Sequence, residues 1–305
     1  MLSRLGSFLK NEEGAVLVLA AAGMVAFMGL VAIVSDVGLL LLNRARLVNG
    51  VDAAALAGVS QLPAAEKAVS EANLYARANG IEPAALEVTV APDGRSLTVA
   101  ARRTVSLFLA RVLGYREADV AARAVAGLEA MTGYKGVVPL GVEWEDFQYG
   151  VQYQLKNGGG GGTRGNYGAL ALGGKGANKY GQNLKYGYNS WLRVGDKVET
   201  EPGNMSGKTS EGVNFRVQAC HHIPPCTYDN YAPDCPRVVV LPVVEGILNG
   251  RSTVEVVGFA AFFLEGVGGS GNDNYVTGRF LELVLEGEGS PDQTSYGLQA
   301  GKLLE

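Results

Sequence analysis

All three cysteines and both histidines of this 305-residue chain lie within sixteen residues: Cys220, His221, His222, Cys226 and Cys235. Thiolates and imidazoles that close together can supply the four tetrahedral ligands zinc prefers. The spacing matches no standard finger, because it lacks a Cys-x2-Cys pair and Pro224-Pro225 stiffens the intervening loop. Outside the cytoplasm, one disulfide and one free thiol are the ordinary outcome for three cysteines. The sequence therefore favours a disulfide among Cys220, Cys226 and Cys235, and all three pairings remain open. No metal ligand and no cofactor is assigned. A nucleophilic cysteine needs a base positioned by the fold, and no sequence signal supplies one.

Other candidates for chemistry are weaker. Pro202-Gly203-Asn204-Met205-Ser206-Gly207-Lys208-Thr209 nearly spells a phosphate-binding loop, but proline stands where the spacing requires glycine. The following Val213-Asn214-Phe215-Arg216-Val217 alternates like a strand, not like the helix whose N-terminus would hold phosphate. The glycine run at 158–162, followed by Thr163 and Arg164, reads as a flexible loop. Glu143, Glu145, Asp146, Glu245 and Glu265 are scattered and form no recognisable acid–base pair. Tyr149, Tyr153, Tyr167, Tyr180, Tyr186, Tyr188 and Trp191 could form a platform for a glycan or protein ligand. Packing over a core is the commoner use of such residues, and it is favoured here. The net charge of −4 leaves no basic footprint for nucleic acid.

The elements that must carry these groups begin with residues 15–34, twenty consecutive residues without a charge. At ~1.5 Å per residue they span ~30 Å, the thickness of a bilayer's hydrocarbon core. A cleavable signal has an apolar core of only ~7–15 residues and a small-residue exit, so a retained transmembrane helix is expected. Arg4 and Lys10 on one flank nearly balance Arg44 and Arg46 on the other. The short leading stub and the expected disulfide favour the N-terminus inside and the body outside the cytoplasmic membrane. Asn11 is the expected N-cap, with Glu12 and Glu13 in the first turn. The helix should continue to Pro63, with Leu40, Leu47, Val51 and Ala54 on one stripe. That makes one helix of about fifty residues, on the order of 75 Å long. Small residues at 53–58 would permit close helix contact, either within the chain's own domain, which is favoured, or with a partner. Asp36, Asn43, Asp52, Ala54 and Gly58 are the candidate assembly residues.

A compact α+β module should follow: a helix over 64–79 ended by Gly80, a hairpin of 86–90 and 97–101, a short helix over 106–113 and a strand over 120–128. Thirty of the 43 glycines fall between Gly133 and Gly289, interleaved with Val, Leu and Phe runs. This is the texture of turn-rich β structure. Strands are expected at 137–142, 151–155, 167–172, 192–199 with a hairpin turn at Gly195-Asp196, 214–219, 237–244, 253–264 and 275–286. Residues after 289 read as a frayed polar tail. The fold class is α+β: a long N-terminal transmembrane helix, a small α+β module and a mainly antiparallel β domain, sandwich or small barrel. The corresponding boundaries are 1–62, 63–132, 133–289 and 290–305.

Gly14-Ala15-Val16, Asp36-Val37-Gly38, Arg44, Leu47 and Asp52-Ala53-Ala54-Ala55-Leu56-Ala57-Gly58 together resemble the N-terminus of TadG-like proteins of the tight-adherence (Tad/Flp) pilus-assembly system. The resemblance covers roughly the first sixty residues. It implies a non-enzymatic, membrane-anchored component of a pilus-assembly or secretion system, with the lipid bilayer and other Tad/Flp components as partners. The Asp-x-Ser-x-Ser metal motif of larger members is missing, so metal-dependent adhesion is not implied. Leu19 stands where pilin-like relatives carry a glutamate after the cleaved glycine, so processing at Gly14 is not implied. The alternative is a membrane-tethered surface module that binds protein or glycan and has no connection to pili.

Overall fold

The computed structural model describes residues 12–144, 147–156, 167–203, 205–232, 234–246 and 252–304. The expected cap Asn11, the acids Glu145 and Asp146, and the glycine run at 158–162 lie outside the described residues. The chain divides into two compact units, Met1–Ala126 with Leu303–Glu305, and Gly127–Lys302.

The first unit is built on one helix, α1 (Glu12–Val59), followed by α2 (Ala65–Ala78). Among the described residues, α1 is the one helix long and apolar enough to cross a membrane, and its side chains from Val16 to Ile33 are almost all exposed. Beyond Ser35 the pattern changes. Leu47, Val51, Ala54, Ala55 and Val59 are buried, as the stripe of apolar residues predicts. They pack against α2 and the strand pair β1 (Leu86–Val90) and β2 (Ser96–Ser106). Helix α2 presents Ala68, Ala72 and Ala76, a row at i, i+4 and i+8 small enough for close approach. It ends where Gly80 takes φ +73°. β1 and β2 pair antiparallel, Leu86 to Ala101 and Val90 to Leu97, across the expected turn. The helix expected over 106–113 is different in the structure. β2 runs on to Ser106, and a 3-10 turn occupies Ala110–Leu113.

The second unit holds most of the β structure. A long strand, β3 (Glu117–Lys135), enters it at Gly127. A six-strand path follows the order β5 (Gln152–Lys156), β11 (Tyr275–Leu281), β10 (Thr253–Gly268), β9 (Val238–Glu245), β4 (Leu140–Glu143), β6 (Tyr167–Ala169). β8 (Lys197–Glu199) adds to β10, and the pairings are antiparallel except β4 with β9. Phe262, Phe280, Tyr153, Tyr167 and Tyr180 fill one core, and Phe259, Phe263, Leu170 and Met131 fill another. Gly278 is required where β11 pairs with β10, since a Cβ there would lie 2.2 Å from the Phe263 carbonyl oxygen.

Four expectations are corrected here. Residues 214–219 are not a strand but the end of helix α4 (Ser206–Gln218), whose Thr209, Gly212, Val213 and Arg216 form one buried helical face. Helix α3 (Ala177–Tyr186) was not expected at all. Gly195-Asp196 does turn, with Asp196 accepting the Arg193 N–H at 2.8 Å. Yet β7 (Trp191–Arg193) pairs with β3, whereas β8 pairs with β10, so the turn links different sheets instead of closing a hairpin. Finally, residues after 289 are not frayed. β12 (Leu283–Leu285), β13 (Glu288–Ser290) and β14 (Leu298–Leu303) close the chain, with Tyr296, Leu298 and Ala300 buried.

Candidate functional site

The loop from the end of α4 to the start of β9 brings four donor atoms together. Cys220 Sγ, Cys226 Sγ, Cys235 Sγ and one His222 ring nitrogen all lie within 4.8 Å of one another. Cys220 Sγ sits 3.7 Å from Cys235 Sγ and 3.6 Å from His222 Nδ1. No disulfide joins Cys220, Cys226 or Cys235: all three thiols are free. Exposed His221 stands outside the cluster. The other ring nitrogen of His222, Nε2, lies 3.1 Å from Asp234 Oδ1, a partner that nothing in the sequence signalled. The Ala232 N–H donates to Cys226 Sγ at 3.5 Å.

Neighbouring groups fix this loop without regular secondary structure. Arg237 donates from Nη1 to the Cys226 carbonyl and from Nε to the Leu264 carbonyl, with its guanidinium 4.3 Å from the Phe263 ring centre. Arg216 of α4 donates to the carbonyls of Leu184 and Pro236. Hydrogen bonding to His222 pulls the Cys220 thiol down to about 6, whereas burial pushes Cys235 up to about 12. The same bond to Cys220, helped by Asp234, raises His222. One group in the cluster thus favours its anionic form.

The second arrangement lies where α1 leaves its apolar stretch. The Asp36 carboxylate, only 6% exposed, accepts three consecutive backbone N–H groups: Phe108 at 2.8 Å, Leu109 at 3.0 Å and Ala110 at 2.6 Å. It caps the 3-10 turn as an N-cap side chain caps a helix, across seventy residues of sequence. The turn it holds displays Phe108 and Val112, 75% and 86% exposed, with exposed Tyr115 just beyond.

The remaining candidate residues are placed as follows. Asn43 donates to the Leu39 carbonyl, and Asp52 is half-buried. Ala54 is fully buried. Gly58 lies against α2 and β2, since a Cβ there would meet the Ala68 carbonyl oxygen and Leu97 Cδ2 at 3.0 Å each. The small-residue patch is therefore occupied by the chain's own helix.

The segment with the buried aspartate at the exit of the apolar stretch and the small-residue patch at the end of α1 is what the comparison with known families matches. Residues 14–65 match the model of the Tad family, described as TadE/G-like and linked to Flp pilus assembly. The match covers most of α1 and the turn into α2, and it stops before the β structure begins. Comparison with curated proteins and with solved structures finds no match. Asp36 thus falls inside the TadE/G-like segment, whereas the Cys/His cluster lies wholly outside it.

At 202–209 the spacing argument against phosphate binding stands, but the strand argument does not. A helix does follow, but Lys208 is bonded to Glu211, and the Thr209 hydroxyl, fully buried, lies 2.8 Å from Tyr180 Oη. Hydrogen bonds from Lys185 and Lys208 hold Glu211 down to about 2. Neither group is turned toward a ligand. Of the aromatic residues, Tyr153, Tyr167 and Tyr180 are core. Tyr188 and exposed Trp191 instead line an open cleft of about 410 Å³ with Lys175, Lys197 and Glu199.

Proposed function

We propose that this chain is a non-enzymatic, single-pass component of a Tad/Flp-type pilus-assembly or secretion system, with its N-terminus inside and its folded units outside the cytoplasmic membrane. The match of residues 14–65 to the TadE/G-like family carries this reading, because it falls on a helix long and apolar enough to span a bilayer. The buried stripe at Leu47, Val51 and Ala54 rests on α2 and β2, so a partner would meet the opposite face, where Val37, Leu41, Leu42 and Leu56 are exposed. Photo-crosslinkers at Leu41 and Leu56, expressed at native level, are expected to give adducts with pilus-system proteins. Adducts with lipid alone would leave a passive tether. Protease applied to intact spheroplasts should remove the body and spare the anchor, and resistance beyond Asp36 would reverse the topology.

The anchor also has a second point of contact. Asp36 stands two residues beyond the charge-free run 15–34 and holds the Phe108 turn beside it. Phe108, Val112 and Tyr115 would then meet the headgroup region, with Arg111 and Arg116 beside them, the composition of an interfacial anchor. A Phe108→Trp variant reconstituted with brominated lipid is expected to show an added, strongly quenched emission relative to the parent. An added emission that brominated lipid leaves unquenched would place the turn in water.

A further inference from the structure

We propose that Cys220, His222, Cys226 and Cys235 bind one zinc ion in a closed, structural site, with Asp234 as the outer partner of the histidine. The argument begins with geometry. Zinc–sulfur bonds of ~2.3 Å at tetrahedral angles place neighbouring sulfurs about 3.8 Å apart. The Cys220–Cys235 and Cys220–His222 separations, 3.7 Å and 3.6 Å, are edges of such a tetrahedron. The remaining donors are close enough to complete it with small side-chain movements, all four atoms lying within 4.8 Å of one another. A disulfide would use two of the three sulfurs and leave a third thiol and an imidazole converging on nothing.

The surroundings point the same way. A metal-bound histidine almost always donates its other ring N–H to a carboxylate or carbonyl, which fixes its tautomer and orientation. His222 has Nδ1 toward the sulfurs and Nε2 toward Asp234 Oδ1. The Ala232 N–H directed at Cys226 Sγ is the kind of donor that stabilises a bound thiolate. Cys226 and Cys235 are buried in the core cluster against which Tyr228, Tyr231 and Val238 pack, and four protein ligands would leave no coordination position for a substrate. The site therefore ties α4 to β9 across a loop that has no helix or strand of its own among the described residues. On binding, the three thiols lose their protons to solvent and the neutral imidazole supplies the fourth ligand, so binding weakens at low pH.

This site lies outside the TadE/G-like segment, so it stands whether or not the pilus-related reading holds. The test uses the full chain, solubilised from membranes in detergent without chelator or reductant. Elemental analysis should find one zinc per chain, and the three thiols should become reactive only after a strong chelator is added. Exchange into Co²⁺ should give the visible bands of a tetrahedral thiolate site. Absence of zinc together with a disulfide between any two of the three cysteines would overturn the proposal, as would stoichiometric binding of a different metal. Ligand variants such as Cys226→Ser can fail to fold, so Asp234→Asn is the sharper probe, its side chain being largely exposed. It should weaken zinc about 10- to 100-fold in chelator competition, the usual effect of losing an outer partner. His221→Ala should leave affinity unchanged. Equal losses in His221→Ala and His222→Ala would overturn the ligand assignment.

Discussion

Asp36→Ala should release the turn at Phe108–Ala110 while leaving α1 helical. Three successive N–H groups lose a charged acceptor at once, and none has another partner built into the turn's geometry. Hydrogen bonds to charged groups are stronger than neutral ones, and donors left without acceptors bear the full cost of desolvation. Amide exchange at residues 108–110 should rise roughly ten- to hundredfold, on the scale of losing a charge-assisted cap. Asp36→Asn keeps one acceptor oxygen and should fall between. Hydrogen exchange by mass spectrometry on the detergent-solubilised chain reads this directly. Unchanged protection would mean that the turn is held by its own packing. If the turn contacts lipid, Asp36→Ala should also reduce the quenching of the Phe108→Trp probe. The two measurements together separate a local cap from a membrane contact.

Phe280→Ala should cost about 3–5 kcal/mol of stability in the second unit, the range for removing a buried aromatic side chain. Phe280 is fully buried, and its ring stacks on Phe147 at 3.8 Å. The edges of Phe262 and Tyr153 close on it at 4.9 Å and 5.1 Å between centroids. This site cannot collapse readily. Two of its neighbours are rings held in strands, Tyr153 in β5 and Phe262 in β10, and Gly278, two residues away, already admits no added carbon. A thermal melt of the unit followed by near-ultraviolet circular dichroism should shift down by roughly 10 °C. A shift of only a degree or two would show that the ring cluster contributes little beyond area.

These consequences differ in how visible they were in the amino-acid order. The apolar run 15–34, the stripe at Leu47, Val51 and Ala54, the alanine row of α2 and the hairpin around Gly94 were all legible. Each is set by contacts within a few residues and by a single period. The resemblance of the first segment to TadE/G-like proteins was legible for the same reason, since its small and acidic residues sit at fixed spacing on one helix.

Other parts were not local, and there the sequence misled. Val213-Asn214-Phe215-Arg216-Val217 alternates like a strand, yet it is helical. The buried face of α4 is Thr209, Gly212, Val213 and Arg216, and Gly212 lets Leu184 of α3 approach where a Cβ would meet it at 2.6 Å. Short-range alternation lost to packing against another element, which a single-strand period cannot register. Likewise Gly195-Asp196 encoded a turn but not the sheets its two arms would join. Residues 290–305 looked too polar to order, yet β12 and β3 supply hydrogen-bonding edges for β14.

The amino-acid order alone determined that this chain has a membrane-length helix, a small α+β module and a glycine-rich β region. It also determined that cysteine and histidine would crowd into residues 220–235. Tertiary structure alone decided how those groups are arranged. It brought His222, and not His221, within 4.8 Å of the three sulfurs, and set Asp234 beside its other ring nitrogen. It also directed Asp36 to a turn more than seventy residues away. The physical reason is the same in each case. Helical and strand periods are properties of a few neighbouring residues, whereas the convergence of donors on an acceptor or a metal depends on loop paths fixed by the packing of distant elements.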